Sequence, residues 1–270
     1  MSVNEVYRKA SNGEGQLASY YSLCEQPTAI VQLVHDMSEH AGRYADIAEA
    51  VNSVHFDYYA NDIVGHGMSK QGHKGAFAMK DVTLEFLIED IATLFDYATE
   101  RSGHLPKVLV GIGIGASLAC LYTAKYKDVD MLVLCGPLSK PNQRKIGKIV
   151  EGDEVWLSSD EAICEAYKKD ADCGFPLEKR AAREIVRAHK SLFGKNGICQ
   201  IPDIPVYIIA GKLDPLGKNG EAAHRMMEEF VTTGHSQVTY KLYNGFHDVL
   251  HDVARAELTR DLRAWADQNL

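Results

Sequence analysis

Two loops in the last part of the chain carry an acid and a base where chemistry could use them. Asp214 stands in Gly211-Lys-Leu-Asp214-Pro, directly after the β-rich run PVYIIAGK, and His247 stands in Asn244-Gly-Phe-His247-Asp, after the run VTYKLY. An imidazole with an ordinary pKa of about 6.5 serves as general base or acid near neutrality, and a carboxylate partner fixes its tautomer and orientation. Taken singly, Asp214 reads as a turn or helix-cap residue and His247 as a hydrogen-bonded loop histidine. A third feature changes their weight. Val108-Leu-Val-Gly-Ile-Gly-Ile-Gly-Ala116 is a strand entering a glycine turn that opens a helix. Gly111, Gly113 and Ala116 satisfy G-x-G-x-x-[G/A], the dinucleotide fingerprint, but the ribose-binding acid about 20 residues on is missing, because the next strand ends DMLVLCG. The same glycines serve a plain tight turn, or a nucleophile elbow G-x-S-x-G read as Gly111-Ile112-Gly113-Ile114-Gly115, with Gly113 where the serine should stand. An elbow followed by an acid and then a histidine, each after a strand, is the chain order of a hydrolytic triad. Together the three segments favour a triad scaffold.

The elements that must position these residues follow from periodicity. Apolar runs on a β pattern alternate with helical stripes: TAIVQLVHD, then a helix from about Ala41 to Ser53; HFDYYAND, then a helix from about Asp81 to Arg101 with Leu84, Leu87, Ile91, Leu94, Phe95 and Ala98 on one stripe; KVLVGIG, then Ala116 to Tyr126; and DMLVLC. Strands apolar on both faces and separated by helices imply a mostly parallel sheet covered on two sides, an α/β fold. After Gly136-Pro137 the pattern breaks for roughly 65 residues of short amphipathic helices, and it resumes with PVYIIAGK, a helix over Gly220 to Val231, VTYKLY and a terminal helix from about Val249 to Gln268. Glu5 to Ala10 and Gln16 to Cys24 fit an antiparallel hairpin at the sheet edge. The expected division is a core of residues 1–136 and 201–270 with a helical cap over 137–200.

With 29 Lys and Arg against 37 Asp and Glu, the net charge of −8 is the wrong sign for a protein that works by neutralising phosphates. Nucleic acid and anionic membrane are poor partners. The most apolar stretch, Val108 to Tyr122, is 15 residues long with three glycines, so neither a signal peptide nor an integral membrane span is expected. Six cysteines without a C-x-x-C pair read as reduced thiols of a cytoplasmic protein. The eleven histidines form no H-E-x-x-H pair, so no metal and no cofactor is expected.

Over nearly its whole length the sequence resembles the lysophospholipase and monoacylglycerol-lipase branch of the α/β-hydrolases, the serine aminopeptidase S33 or hydrolase-4 group. The family's oxyanion segment H-G-x-x-E-H-x-x-R-Y stands here as His35-Asp36-Met37-Ser38-Glu39-His40-Ala41-Gly42-Arg43-Tyr44, and its D-x-x-G-H-G-x-S segment as Asp62-Ile63-Val64-Gly65-His66-Gly67-Met68-Ser69. The WLSSDEA stretch is similar to part of the helical cap that covers an acyl or aromatic ester in this branch. The elbow, G-H-S-x-G in the family, departs twice: Ile112 stands for histidine and Gly113 for serine. The oxyanion segment departs once, with Asp36 in place of glycine.

The resemblance implies oxyanion donors at the Met37 and Ile114 N–H groups, an acid at Asp214 and a base at His247. The nucleophile position falls on Gly113, which has no side chain, and without a hydroxyl no acyl-enzyme can form. An ionised Asp36 at the site would repel a developing oxyanion by about 4 kcal/mol at 4 Å and an effective dielectric of 20, unless it turns out into solvent. Substitute nucleophiles are weak candidates: Ser117 reads as a helix N-terminal residue, Cys120 as core, and Cys135 ends the neighbouring strand. Met37, Met68, Trp156 and Phe175 suit either packing or substrate contact. The expectation is therefore a poor or inactive esterase that binds a small apolar acyl or ester-like molecule. The alternative is a non-covalent enzyme in which the Asp214–His247 dyad is the general base, acting on a water in the space left at Gly113 or on an acidic substrate, as cofactor-independent oxygenases and lyases of this fold do.

Overall fold

The structure, a computed structural model, describes residues 3–13, 15–70, 74, 82–139 and 156–270. Eight strands form one sheet: β1 (Asn4–Lys9), β2 (Gln16–Ser22), β3 (Ala29–Val34), β4 (Phe56–Asn61), β5 (Lys107–Ile112), β6 (Met131–Cys135), β7 (Val206–Gly211) and β8 (Val238–Tyr243). Their spatial order is β1-β2-β4-β3-β5-β6-β7-β8. The β1–β2 and β2–β4 pairs are antiparallel, and every later pair is parallel. The edge hairpin and parallel sheet expected from the periodicity are therefore both present.

Side chains alternate between the two faces, as the period-2 geometry of a strand requires. Ile30, Leu109, Leu132 and Ile208 pack on one face with α2 (Leu84–Ser102), α3 (Ile114–Tyr126), α5 (Lys179–Leu192) and α6 (Glu221–Thr232). Val31, Val108, Val133 and Ile209 pack on the other with α1 (Ala45–Asn52) and α7 (Arg255–Asn269). The six stripe residues expected on α2 are all buried. Between β6 and β7 the described residues hold α4 (Glu161–Lys169) and α5 but no strand, and α5 lays Ala181, Ile185, Ala188 and Leu192 into the first core.

Three helix boundaries differ from the periodic pattern. Residues Ala41–Tyr44 form a separate 3-10 turn before α1, and its first N–H, that of Ala41, is capped by the Asp62 carboxylate at 2.8 Å. The α3 helix begins at Ile114, immediately after the glycine turn, rather than at Ala116. The expected helix from Val249 is broken: a 3-10 turn over Val249–His251 precedes α7. There the Asp252 carboxylate accepts the N–H groups of Phe246 (2.6 Å), Val253 (2.7 Å) and Ser159 (3.1 Å), holding the backbone out of helical register. The expected helix start at Asp81 and residues 140–155 of the expected cap lie outside the described residues.

Candidate functional site

The glycine turn after β5 has the sharp geometry of an elbow. Gly113 adopts φ 54° and ψ −114°, a conformation reserved in practice for glycine or for a residue held there under strain. Its neighbours are fixed by close approach: a Cβ on Gly115 would strike the Val34 and His35 carbonyls, and one on Gly111 would strike the start of α3. This packing brings the turn against the end of β3, where Asp36 stands.

Asp36 occupies the centre of the site. Its Oδ1 accepts the Ile114 N–H at 2.7 Å, and its Oδ2 lies 3.0 Å from Nε2 of His247. His247 Nδ1 in turn lies 3.0 Å from Asp214 Oδ2, while Asp214 Oδ1 accepts the Leu216 N–H at 2.8 Å. A Cβ built on Gly113 would fall on the Asp36 carboxylate, closer to all three of its atoms than the 3.0 Å that real Cβ contacts keep. The space beside Gly113 is thus filled by a carboxylate and has no room for a water, contrary to the expectation of an empty position. Nor does Asp36 turn to solvent: it is 4 % exposed.

The backbone of Asp36 leaves it little alternative. Its N–H donates to Glu39 Oε1 at 2.8 Å, and its carbonyl accepts from His35 Nδ1 at 2.6 Å. His35 Nε2 accepts the Ile63 N–H at 2.9 Å, so the ring is neutral, and burial holds its pKa well below the ordinary value. His66 is likewise pushed down to about 4 by burial.

His247 is different. Burial opposes its charging, but the carboxylates of Asp214 and Asp36 outweigh burial and hold the imidazole well above its ordinary pKa. That surrounding favours the imidazolium, with one ring nitrogen donating to each carboxylate at 3.0 Å. A ring in that state has no lone pair for a proton, so it is not a base.

A second chain of charges, buried up to its exposed end at Asp46, supports the loop. Arg43 pairs with Glu39 and, at 2.9 Å, with Asp248; Asp248 lies 2.9 Å from His251 Nδ1; and His251 Nε2 lies 3.1 Å from Asp46. Burial disfavours the charged ring of His251, but Asp248 and Asp46 raise its pKa to about 9. Of this chain, sequence inspection singled out only Glu39 and Arg43, as motif letters. Their i,i+4 spacing was a signal for the pair, whereas nothing local connects them to Asp46 or His251.

The remaining candidates separate cleanly. Ile112 points into the α1/α7 core, and Met37 is partly buried against the opposite core. Ser117 is buried within α3, and the His247 ring nitrogens face Asp214 and Asp36 instead. Cys120 and Cys135 are fully buried, and burial raises both thiols, that of Cys135 to about 12, which leaves neither a ready nucleophile. Trp156 sits with its ring 5.8 Å from that of His247, and its carbonyl accepts the His247 N–H at 3.1 Å. Phe175 is buried against His66, whereas Met68 is 53 % exposed.

Known proteins share this frame. Residues 25–254 match the family described as Hydrolase_4: serine aminopeptidase, S33. A monoacylglycerol lipase of Mycolicibacterium smegmatis is 26 % identical, with 90 % of each chain covered. The human monoglyceride lipase is 24 % identical over 89 % of this chain and 82 % of its own. Among solved structures, a thermostable carboxyl esterase from Bacillus coagulans superposes with a TM-score of 0.88 at 26 % identity, covering 100 % of this chain and 99 % of the esterase. A soluble variant of the monoglyceride lipase of Saccharomyces cerevisiae shares the fold, with a TM-score of 0.78 at 15 % identity over 100 % and 96 % of the two chains. None of the described helices is long and apolar enough to cross a membrane. With the family match spanning most of its length, on an α/β-hydrolase fold, the chain belongs to the serine aminopeptidase S33 (Hydrolase_4) family, among relatives named monoacylglycerol lipases.

Proposed function

We propose that this protein is a monoacylglycerol-lipase-like member of the family that has given up serine ester chemistry and binds a small apolar acyl or ester-like molecule. The observation that carries the reading is the Asp36 carboxylate. In a triad hydrolase the elbow supplies a hydroxyl, the N–H of the following residue receives the oxyanion, and the histidine takes the hydroxyl proton. Here Gly113 supplies no hydroxyl, Asp36 Oδ1 takes the Ile114 N–H, and Asp36 Oδ2 faces His247. All three functions are lost to one side chain and one missing Cβ.

A carboxylate in this position resembles the acid product of an ester hydrolysis, held between imidazolium and oxyanion donor. A ligand's carbonyl therefore has no donor at Ile114, and affinity must come from its apolar portion, on the α4 side of the expected cap 137–200, since α5 belongs to the core. Its polar end would meet Asp36 and His247 most favourably through a hydroxyl, as in a glycerol head. The general-base alternative is opposed by the two carboxylates, one 3.0 Å from each ring nitrogen of His247, which favour its charged form. The test pairs turnover with binding, using p-nitrophenyl butyrate for turnover and a fluorescent monoacylglycerol for binding. The reading expects saturable binding and no turnover above a His247→Ala control. Turnover that depends on His247, or no binding of any acylglycerol, would overturn it.

A further inference from the structure

We propose a transition-metal site, suited to zinc, formed by His40, Asp170 and Cys173. His40 Nε2, an Asp170 carboxylate oxygen and the Cys173 thiol sulfur all lie within 4.8 Å of one another, although the residues come from two distant segments. His40 Nε2 is 2.8 Å from Asp170 Oδ2.

The site is built by local geometry on one side. Cys173 N–H donates to the Asp170 carbonyl at 3.1 Å, and Asp172 N–H donates to Asp170 Oδ1 at 2.8 Å. This turn, just after α4, sets the carboxylate beside the thiol and leaves Oδ2 facing His40. On the other side, the loop bearing His40 is already strapped to the same segment. Tyr167 Oη–H and Gly174 N–H both donate to the Ser38 carbonyl at 2.9 Å, and Ser38 Oγ–H donates to the Phe175 carbonyl at 2.8 Å. The fold thus brings the donors together before any metal arrives.

The donor set determines the ion. Imidazole nitrogen, carboxylate oxygen and thiolate sulfur are the ligands zinc takes, with bonds of about 2.0 to 2.3 Å, and a thiolate disfavours magnesium or calcium. Two such bonds at a tetrahedral angle place their donors about 3.3 to 3.5 Å apart, so His40 and Asp170 need only part by about half an ångström. As the sulfur–metal bond forms, the thiol proton leaves to solvent and the imidazole binds through Nε2 as its Nδ1–H tautomer. One carboxylate and one thiolate balance the dication. Histidine spacing did not reveal the site because its single histidine finds Asp170 130 residues away in sequence.

The test uses the full chain, stripped with a chelator and titrated with Co²⁺ and then Zn²⁺. We expect one equivalent of Co²⁺ with a thiolate-to-cobalt charge-transfer band, displacement by Zn²⁺, and a higher melting temperature with Zn²⁺. Cys173→Ser, whose fold is checked by circular dichroism, should lose the band, and Asp170→Asn should weaken binding; Cys199→Ser, at the exposed cysteine, should change nothing. A native, folded chain without the band, or a band that survives in Cys173→Ser, would overturn the assignment.

Discussion

Restoring a serine at Gly113 alone should harm this protein rather than revive it. The serine Cβ would coincide with the Asp36 carboxylate, which is pinned by bonds of 2.7 Å to Ile114 N–H and 3.0 Å to His247. Expelling it breaks two charge-assisted hydrogen bonds of about 1.5 to 3 kcal/mol each, and a non-glycine residue at φ 54°, ψ −114° adds strain of about 1 to 3 kcal/mol. The sum, roughly 4 to 9 kcal/mol, approaches the whole stability of an ordinary domain. Gly113→Ser should therefore melt more than about 10 °C lower and show no esterase activity. Asp36→Gly in the same chain removes the obstruction, frees the Ile114 N–H and strips His247 of its second carboxylate, so the imidazole can again act as base. The double variant should recover stability relative to Gly113→Ser, leaving the two substitutions strongly non-additive. It should also hydrolyse p-nitrophenyl butyrate on the order of 10³-fold or more above the parent, the usual scale of a triad nucleophile. Melting curves and initial rates for the four proteins of the cycle decide the matter. A Gly113→Ser single variant as stable as the parent and catalytically active would refute the reasoning.

Two further consequences concern the buried charges behind the site. Arg43→Met leaves Glu39 buried without its cation and Asp248 with His251 alone, and urea unfolding should show a loss of about 3 to 5 kcal/mol. His251, with a folded pKa of about 9, is raised above its unfolded value. Its contribution, about 3 kcal/mol, should be complete below pH 6.5 or so and fade as the pH rises towards 9. His251→Gln should flatten the stability profile across that window, and an unchanged slope would remove His251 as its source.

The fold was largely readable because strands buried on both faces and helices with one apolar stripe alternate without ambiguity over most of the chain. The elbow was readable from Gly111, Gly113 and Gly115, whose close approaches to α3 and to the β3 end leave no room for side chains. The orientation of Asp36 was not readable, because a substitution in a loop carries no direction. What sets it is the absence of a Cβ on Gly113, on another strand's turn, together with donors at Ile114 and His247. Glycine and aspartate, two departures when read along the chain, are one arrangement in space. The break at Asp252 was hidden for a similar reason: its three N–H donors include Ser159, far away in sequence. The charge chain from Glu39 to Asp46 and the His40–Asp170–Cys173 cluster also join segments that periodicity treats separately.

The central claim is that an internal carboxylate holds His247 charged and fills the place of a nucleophile. Nitrogen NMR of the histidine rings, with His247 assigned by its Gln variant, tests it most directly. The account predicts that His247 titrates well above the ordinary imidazole value and that Asp36→Ala lowers its titration midpoint. An imidazole that titrates near its ordinary value of about 6.5 and is unmoved by Asp36→Ala would contradict it.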